Sequence, residues 1–214
     1  GRSVRVQGEA GAEEVVREIE EAGGEALAIQ ADAADANAVR EAVTRTVETF
    51  GGIDILVNNA GVAAMAPIEQ FTMEDFDKLI SVNVRGLFVA TQEAARHMKE
   101  GGRIIHIGST NSERITYPGG SVYALTKGAV ASFTKGLARD LGPRGTTVNN
   151  VQPGPIDTDM NPADGEHSDG LRQTLALPRY GKVDEIASFV AYLAGPESSY
   201  ITGANLLADG GYAA

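Results

Sequence analysis

The chain contains no cysteine, so neither a disulfide framework nor a thiolate zinc site is available, a composition that fits a reducing cytoplasm. Histidine is nearly as scarce. The three present, His97, His106 and His167, share no ligand spacing, and no metal site is expected. No apolar run reaches the ~20 residues needed to cross a bilayer. The opening Gly1-Arg2-Ser3-Val4-Arg5-Val6 lacks the apolar core of a secretory leader. Nowhere do Lys and Arg gather into a stripe, and the formal net charge is -11. A field of that sign repels phosphate backbones and anionic lipid, which removes nucleic acid and membrane from the expected partners.

What is there describes one α/β domain spanning residues 1–214, with 43% hydrophobic and 22% charged residues to build a core and a solvated surface. Strand-like runs occur at Val4 to Gln7, Ala26 to Gln30, Ile53 to Val57, Arg103 to Ile107, Thr147 to Val151 and Asn205 to Ala208. Between them, helical periods place Val15, Val16 and Ile19 on one face, then Val39, Val43, Val47 and Phe50 on another. Met73 to Met98 reads as two helical stretches. Ser121 to Leu141 reads as one long helix stopped by Gly142-Pro143, and Asp184 to Ala194 as a last one closed by Gly195-Pro196. Strands alternating with helices of this length imply right-handed crossovers and a doubly wound parallel sheet, Rossmann-like in architecture. Residues 161–181 mix Pro, Gly, Asp and His without a clear period, the composition expected of a substrate lid at a sheet edge.

The candidate chemistry centres on Tyr123 and Lys127, four residues apart and so on one helix face. An ammonium beside a phenol favours the phenolate and lowers a pKa that starts near ~10, which makes the tyrosine a usable proton donor or acceptor. Ser109 follows the strand Arg103 to Ile107, where a hydroxyl can hold a substrate carbonyl oxygen and stabilise charge developing on it. Asn83 is an amide inside a helical run, an intrinsically poor choice there. Asn58-Asn59-Ala60-Gly61 ends another strand with residues small enough for a ligand to approach the backbone. Each feature alone fits a cap, a turn or a surface pair; their company is what points to catalysis.

Through these residues, together with Pro153-Gly154-Pro155-Ile156-Asp157-Thr158, Thr202-Gly203 and Asp209-Gly210-Gly211, the sequence resembles the short-chain dehydrogenase/reductase family from Val4 to Ala214. The resemblance implies Tyr123 as general acid/base and Lys127 as the group that lowers its pKa and holds the nicotinamide ribose. It implies Ser109 orienting the carbonyl and Asn83 anchoring a water in the proton relay. It further implies NAD or NADP as cofactor, with Asp32 and Ala33 at the adenine, Asn58, Ala60 and Gly61 beside a ribose, and Pro153, Gly154, Ile156 and Thr158 around the carboxamide. A homo-oligomer, tetramer or dimer, is implied as well, with the helices of 73–98 and 121–141 in one interface. The residues around Ser109 and after Pro153 resemble a branch often labelled 3-oxoacyl-carrier-protein reductase. Two alternatives stand beside a reductase or alcohol dehydrogenase acting on a small-molecule carbonyl or alcohol. One is a regulator using the cleft for cyclic-di-GMP or another nucleotide; the other is a catalytically silent scaffold.

One family feature is not found: the first strand, the first helix and the turn Thr-Gly-x-x-x-Gly-x-Gly, which seats pyrophosphate on a helix N-terminus. The only early glycine pair is Gly8-Glu9-Ala10-Gly11, with an acid where phosphate is expected. Arg2 to Gln7 then corresponds to the family's second strand, and the unmatched strand is the central one. Glu9 favours a free ribose hydroxyl over a phosphate, a slight preference for NAD.

Overall fold

Apolar residues recurring in short β-type runs between amphipathic helices produce a parallel α/β arrangement, seen in a computed structural model that describes residues 2–6 and 9–214, with side chains from residue 11 onward. In chain order the elements are β1 (Arg2–Val6), α1 (Glu9–Glu21), β2 (Glu25–Ile29), α2 (Ala36–Phe50), β3 (Ile53–Asn58), α3 (Met73–Ile80), α4 (Leu87–His97), β4 (Met98–Ile107), α5 (Ser121–Leu141), β5 (Thr147–Pro153), α6 (Ser168–Gln173), α7 (Val183–Ala194) and β6 (Asn205–Ala208). Local chemistry fixes the ends. Asp35 caps α2 by accepting from the amides of Asn37 at 2.8 Å and Ala38 at 3.3 Å. Gly51 closes the same helix in the left-handed conformation, φ 82°. Thr72 caps α3 through the amide of Asp75 at 3.0 Å.

Among the described residues, all pairings between the named strands are parallel and fall into two sheets, β1-β2 and β3-β4-β5-β6. No strand pairing joins the two sheets among the described residues, and the resemblance places its unmatched central strand between β1 and β3. β3 is consequently an edge, and Ile55 and Val57 are 46% and 42% exposed, unusual for apolar side chains of a parallel sheet. Inner strands β4 and β5 are covered on both faces. On one face Ile104 and Val148 pack with Ala94, Met98, Ala138 and Leu141 beneath α4 and α5. On the other, Ile105 and Val151 pack with Leu193 beneath α7.

The stretch from Met73 forms the two expected helices, α3 and α4, joined by a π-helical turn, Ser81–Gly86, that the sequence reading did not foresee. Two further features differ from that reading. Strand β4 begins at Met98, earlier than Arg103. The proposed lid contains a short helix, α6. The side chains of Gln7 and Glu9, on which the preference for NAD rests, lie outside the described residues.

His106, on β4, is fully buried against Phe133 and Asn58, and burial lowers its pKa from 6.5 to about 4. The unfolded chain therefore binds this proton more readily than the folded one. Stability is expected to be lost as pH falls from 6.5 to about 4, by about 3 kcal/mol at the lower end. Urea denaturation of the parent and of His106→Gln across that window checks this; equal losses in both would remove His106 as the cause.

Candidate active site

The C-terminal ends of β3, β4 and β5 point the same way because the sheet is parallel, and the loops that leave them gather most of the sequence-nominated residues. Ser109 sits just past β4 in extended backbone, φ -164°. Its oxygen accepts from the Asn111 amide at 3.1 Å, and its side chain lies close enough to Tyr123 to influence the phenol's pKa. Tyr123 and Lys127 project from one face of α5, with the Lys127 ammonium 5.6 Å from the Tyr123 ring centre. Lys127 is buried and donates to the Ile107 carbonyl at 3.1 Å. Helix α5 thus presents the phenol to Ser109 while tying itself to the end of β4.

Electrostatics modify the sequence expectation. Burial raises the Tyr123 pKa above 10.0; the Ser109 side chain works against that rise and the nearby Tyr117 adds to it. Burial also lowers Lys127 from 10.5 to about 8. Burial is the dominant influence on Tyr123, and it favours the neutral, proton-donating phenol.

Asn83 occupies the π-helical turn, a local widening of the helix. Its Oδ1 accepts from the Val62 amide at 2.9 Å, and its Nδ2 donates to the Val62 carbonyl at 2.9 Å and to Thr126 Oγ1 at 3.1 Å. Its amide hydrogens are committed to clamping the loop after β3 onto α5, next to Lys127. Gly61 lies inside that clamp. A Cβ there would stand 3.5 Å from Lys127 Nζ and 3.6 Å from Asn83 Oδ1, so a larger residue would fill the space in front of the lysine.

Other nominated residues are distributed differently. Asn58 turns its amide inward, donating to Thr91 Oγ1 and His106 Nδ1 at 3.0 Å each, and ties the sheet instead of facing a ribose. Ala60 is exposed in the loop beyond it. Asp32 is exposed, and its side chain accepts from the Ala34 amide at 2.8 Å. Ala33 abuts Gly86, where a Cβ would strike its carbonyl. Pro153 ends β5, and Gly154 is held so closely that a Cβ would lie 2.6 Å from Asp209 Cα. Ile156 bridges to Gly181, while Thr158 is exposed and bridges to Asn161.

The sequence reading did not single out Asn111, Tyr117, Thr126 or Tyr212. Asn111 Nδ2 donates to Tyr117 Oη at 2.5 Å, Thr116 bonds the Tyr212 hydroxyl at 2.7 Å, and Arg114 donates to the Tyr212 carbonyl at 2.6 Å. The C-terminal residues are thereby fastened to the loop that follows Ser109. Only the Asp209-Gly210-Gly211 motif hinted at this, since Thr110 Oγ1 donates to Asp209 at 3.1 Å. Residues of 161–181 line a cavity of about 650 Å³ with Asp157, Ala163, Asp164, Gly165, Ser168, Asp169 and Arg172 on its walls. Among the described residues no acidic or histidine cluster could hold a metal ion, and no helix is long and apolar enough to cross a membrane.

Comparison with known proteins gives the same picture. The family model described as enoyl-(acyl carrier protein) reductase matches residues 3–213. A short-chain dehydrogenase/reductase from Serratia marcescens superposes with a TM-score of 0.96 at 56% identity, covering 100% of this chain and 87% of that one. A short chain dehydrogenase from Burkholderia cenocepacia, solved in complex with NADP, gives 0.96 at 50% identity over 100% and 87%. The cyclic-di-GMP-binding biofilm dispersal mediator protein of Escherichia coli is 46% identical over 88% of this chain and 78% of its own length. On the fold, the arrangement at the strand ends and this similarity over nearly its whole length, the chain belongs to the short-chain dehydrogenase/reductase family.

Proposed function

We propose that this chain reduces a carbonyl group, or oxidises the corresponding secondary alcohol, with NAD(H) or NADP(H). The observation that carries the reading is the placement of Ser109, at the end of β4, beside Tyr123, with buried Lys127 on the same helix face as the phenol. The nicotinamide, when bound, supplies or takes up the hydride. Ser109 holds the carbonyl oxygen, and Tyr123 gives its phenolic proton to that oxygen as negative charge develops there. A phenol kept neutral by burial is matched to the reducing direction. Lys127 anchors α5 to β4 and keeps further N–H groups for a ribose hydroxyl.

Two structural features fit the ribose and nicotinamide half of such a cofactor. Lys127 is a buried ammonium that donates to the Ile107 carbonyl, and Gly61 leaves the space before it free of a side chain. Ala60, Gly61, Tyr123, Lys127, Pro153, Gly154, Ile156 and Thr158 remain the residues assigned to that half, and Asp32 and Ala33 to the adenine. Asn58 is assigned to the sheet, not to the ribose, because its amide hydrogens are taken. The NADP bound by the Burkholderia relative supports trying NADPH first. Residues 161–181 serve as the lid over the substrate.

The test is consumption of NADPH or NADH with a panel that includes a 3-oxoacyl thioester and simple ketones. Consumption that yields the alcohol supports the reading, and none with any member sinks it. The name of the Escherichia coli relative favours a second reading. In that case cyclic-di-GMP would bind while the panel stays silent.

A self-association surface is part of the proposal. Ile80, Val84, Leu87, Phe88, Val130 and Phe133 line an apolar groove of about 300 Å³ between α3, α4 and α5. Phe88 and Leu125 stand 44% and 53% exposed, a patch suited to a second copy across a two-fold. Light scattering at micromolar concentration is expected to show a dimer or tetramer that Phe88→Arg dissociates. A monomeric parent would contradict it.

A further inference from the structure

A row of polar side chains crosses the buried sheet one residue below the candidate site. Asn58 on β3, His106 on β4, Asn150 on β5 and Asn205 on β6 are register partners in succession. Partners in a parallel sheet point to the same face, here the one beneath α4 and α5. The same face carries Ile104 and Val148 two residues earlier, so the row is a polar band at the functional end of an otherwise apolar layer.

At both ends the row is bonded. Asn58 Nδ2 donates to Thr91 Oγ1 on α4 and to His106 Nδ1, each at 3.0 Å. Asn150 Nδ2 donates to Asn205 Oδ1 at 2.9 Å, and Asn205 Nδ2 to the Ala131 carbonyl on α5 at 3.3 Å. An amide nitrogen only donates, so His106 Nδ1 is an acceptor and its proton sits on Nε2. That Nε2 and the Asn150 Oδ1 are both buried and have no hydrogen-bond partner among the described residues. One is a donor, the other an acceptor, and they belong to adjacent register partners. Buried polar groups are nearly always paired. A pair so placed has its natural partner in each other.

Both residues also touch the segment that carries the candidate chemistry. The amide of Asn150 occupies the position that a side chain on Gly108 would take. Gly108 in turn donates to the Val151 carbonyl at 2.7 Å and precedes Ser109. Between His106 and Gly108, the Ile107 carbonyl accepts from Lys127 at 3.1 Å.

We propose that His106 is a positioning residue. Its Nε2–H is linked to Asn150 Oδ1, directly or across one water molecule, and the completed row holds the 107–109 segment at the height at which Ser109 meets Tyr123 and Ile107 meets Lys127. Its kinetic consequence rests on the reductase reading, whereas the link itself does not.

The experiment uses protein labelled with 15N-histidine. His106 is expected as the neutral Nε2–H tautomer with a slowly exchanging ring proton. Asn150→Leu is expected to move that resonance and speed its exchange at least tenfold. An Nδ1–H tautomer, or an Nε2 proton that Asn150→Leu leaves unmoved, overturns the link. In turnover assays His106→Leu, which keeps neither donor nor acceptor, is expected to lower kcat about tenfold with cofactor affinity within twofold. His106→Gln, which keeps both, is expected to recover most of the loss. Equal kcat for the two variants overturns the positioning role. A parent without turnover counts against the reductase reading, and the resonance then still decides the link.

Discussion

Tyr123→Phe is expected to lower kcat for carbonyl reduction by about a thousandfold, within the ~10²–10⁴ that a positioned proton donor contributes, while cofactor affinity changes less than threefold. The phenolic proton is needed only as charge develops on the substrate oxygen, so its loss falls on the transition state and not on binding. The ring itself packs beside the Lys127 ammonium, and Phe preserves that contact. Steady-state kinetics with a saturating carbonyl substrate, paired with a fluorescence titration of NADPH, separates the two quantities. Turnover within a few-fold of the parent would remove Tyr123 from the reaction, and a large loss of NADPH affinity would recast it as a binding residue.

Much of the scaffold was legible because it is written in local periodicity. The bounds of α2, α5 and β6 follow directly from apolar spacing and from the Gly and Pro that stop them. The π-helical turn around Asn83 was not legible, since an extra residue in one helical turn leaves the apolar spacing nearly unchanged. Helix α6 was hidden by its length and by Asp169 and Gly170 within it. The first part of β4 was obscured by Lys99-Glu100-Gly101-Gly102, which reads as a turn.

For the site, sequence spacing brought Tyr123 and Lys127 to one helix face but carried no information on burial. It therefore gave no sign of the desolvation that raises the Tyr123 pKa. An asparagine at a strand end can face a ligand or tie the sheet, and only the positions of Thr91 and His106 show that Asn58 does the second. The row formed by Asn58, His106, Asn150 and Asn205 joins residues far apart in sequence, and no local pattern announces it.

The second large effect concerns the division of the strands into two sheets, β1-β2 and β3-β4-β5-β6. At that boundary, apolar Ile55 and Val57 of β3 are left substantially exposed. On the proposed function, Gly61 in the loop after β3 and Lys127 on α5 receive the ribose half of the cofactor. No Thr-Gly-x-x-x-Gly-x-Gly turn occurs in the sequence to receive its pyrophosphate. Each backbone hydrogen bond to a charged phosphate contributes ~1.5–3 kcal/mol, so two such bonds correspond to on the order of a hundredfold or more in affinity.

A polypeptide in which a strand, that glycine-rich turn and a helix precede Arg2 is therefore expected to bind NADPH at least about a hundredfold more tightly than the 214-residue chain. It should also protect the amides of β3 from hydrogen exchange. The central claim is that the cofactor lies across the ends of β3 to β5 with its pyrophosphate at the break between the sheets. Calorimetric titration of NADPH into the two polypeptides, side by side, tests it most directly. Weak binding by the shorter chain and a gain of about a hundredfold or more in the longer one is the predicted result; equal affinity would contradict it and place the cofactor elsewhere.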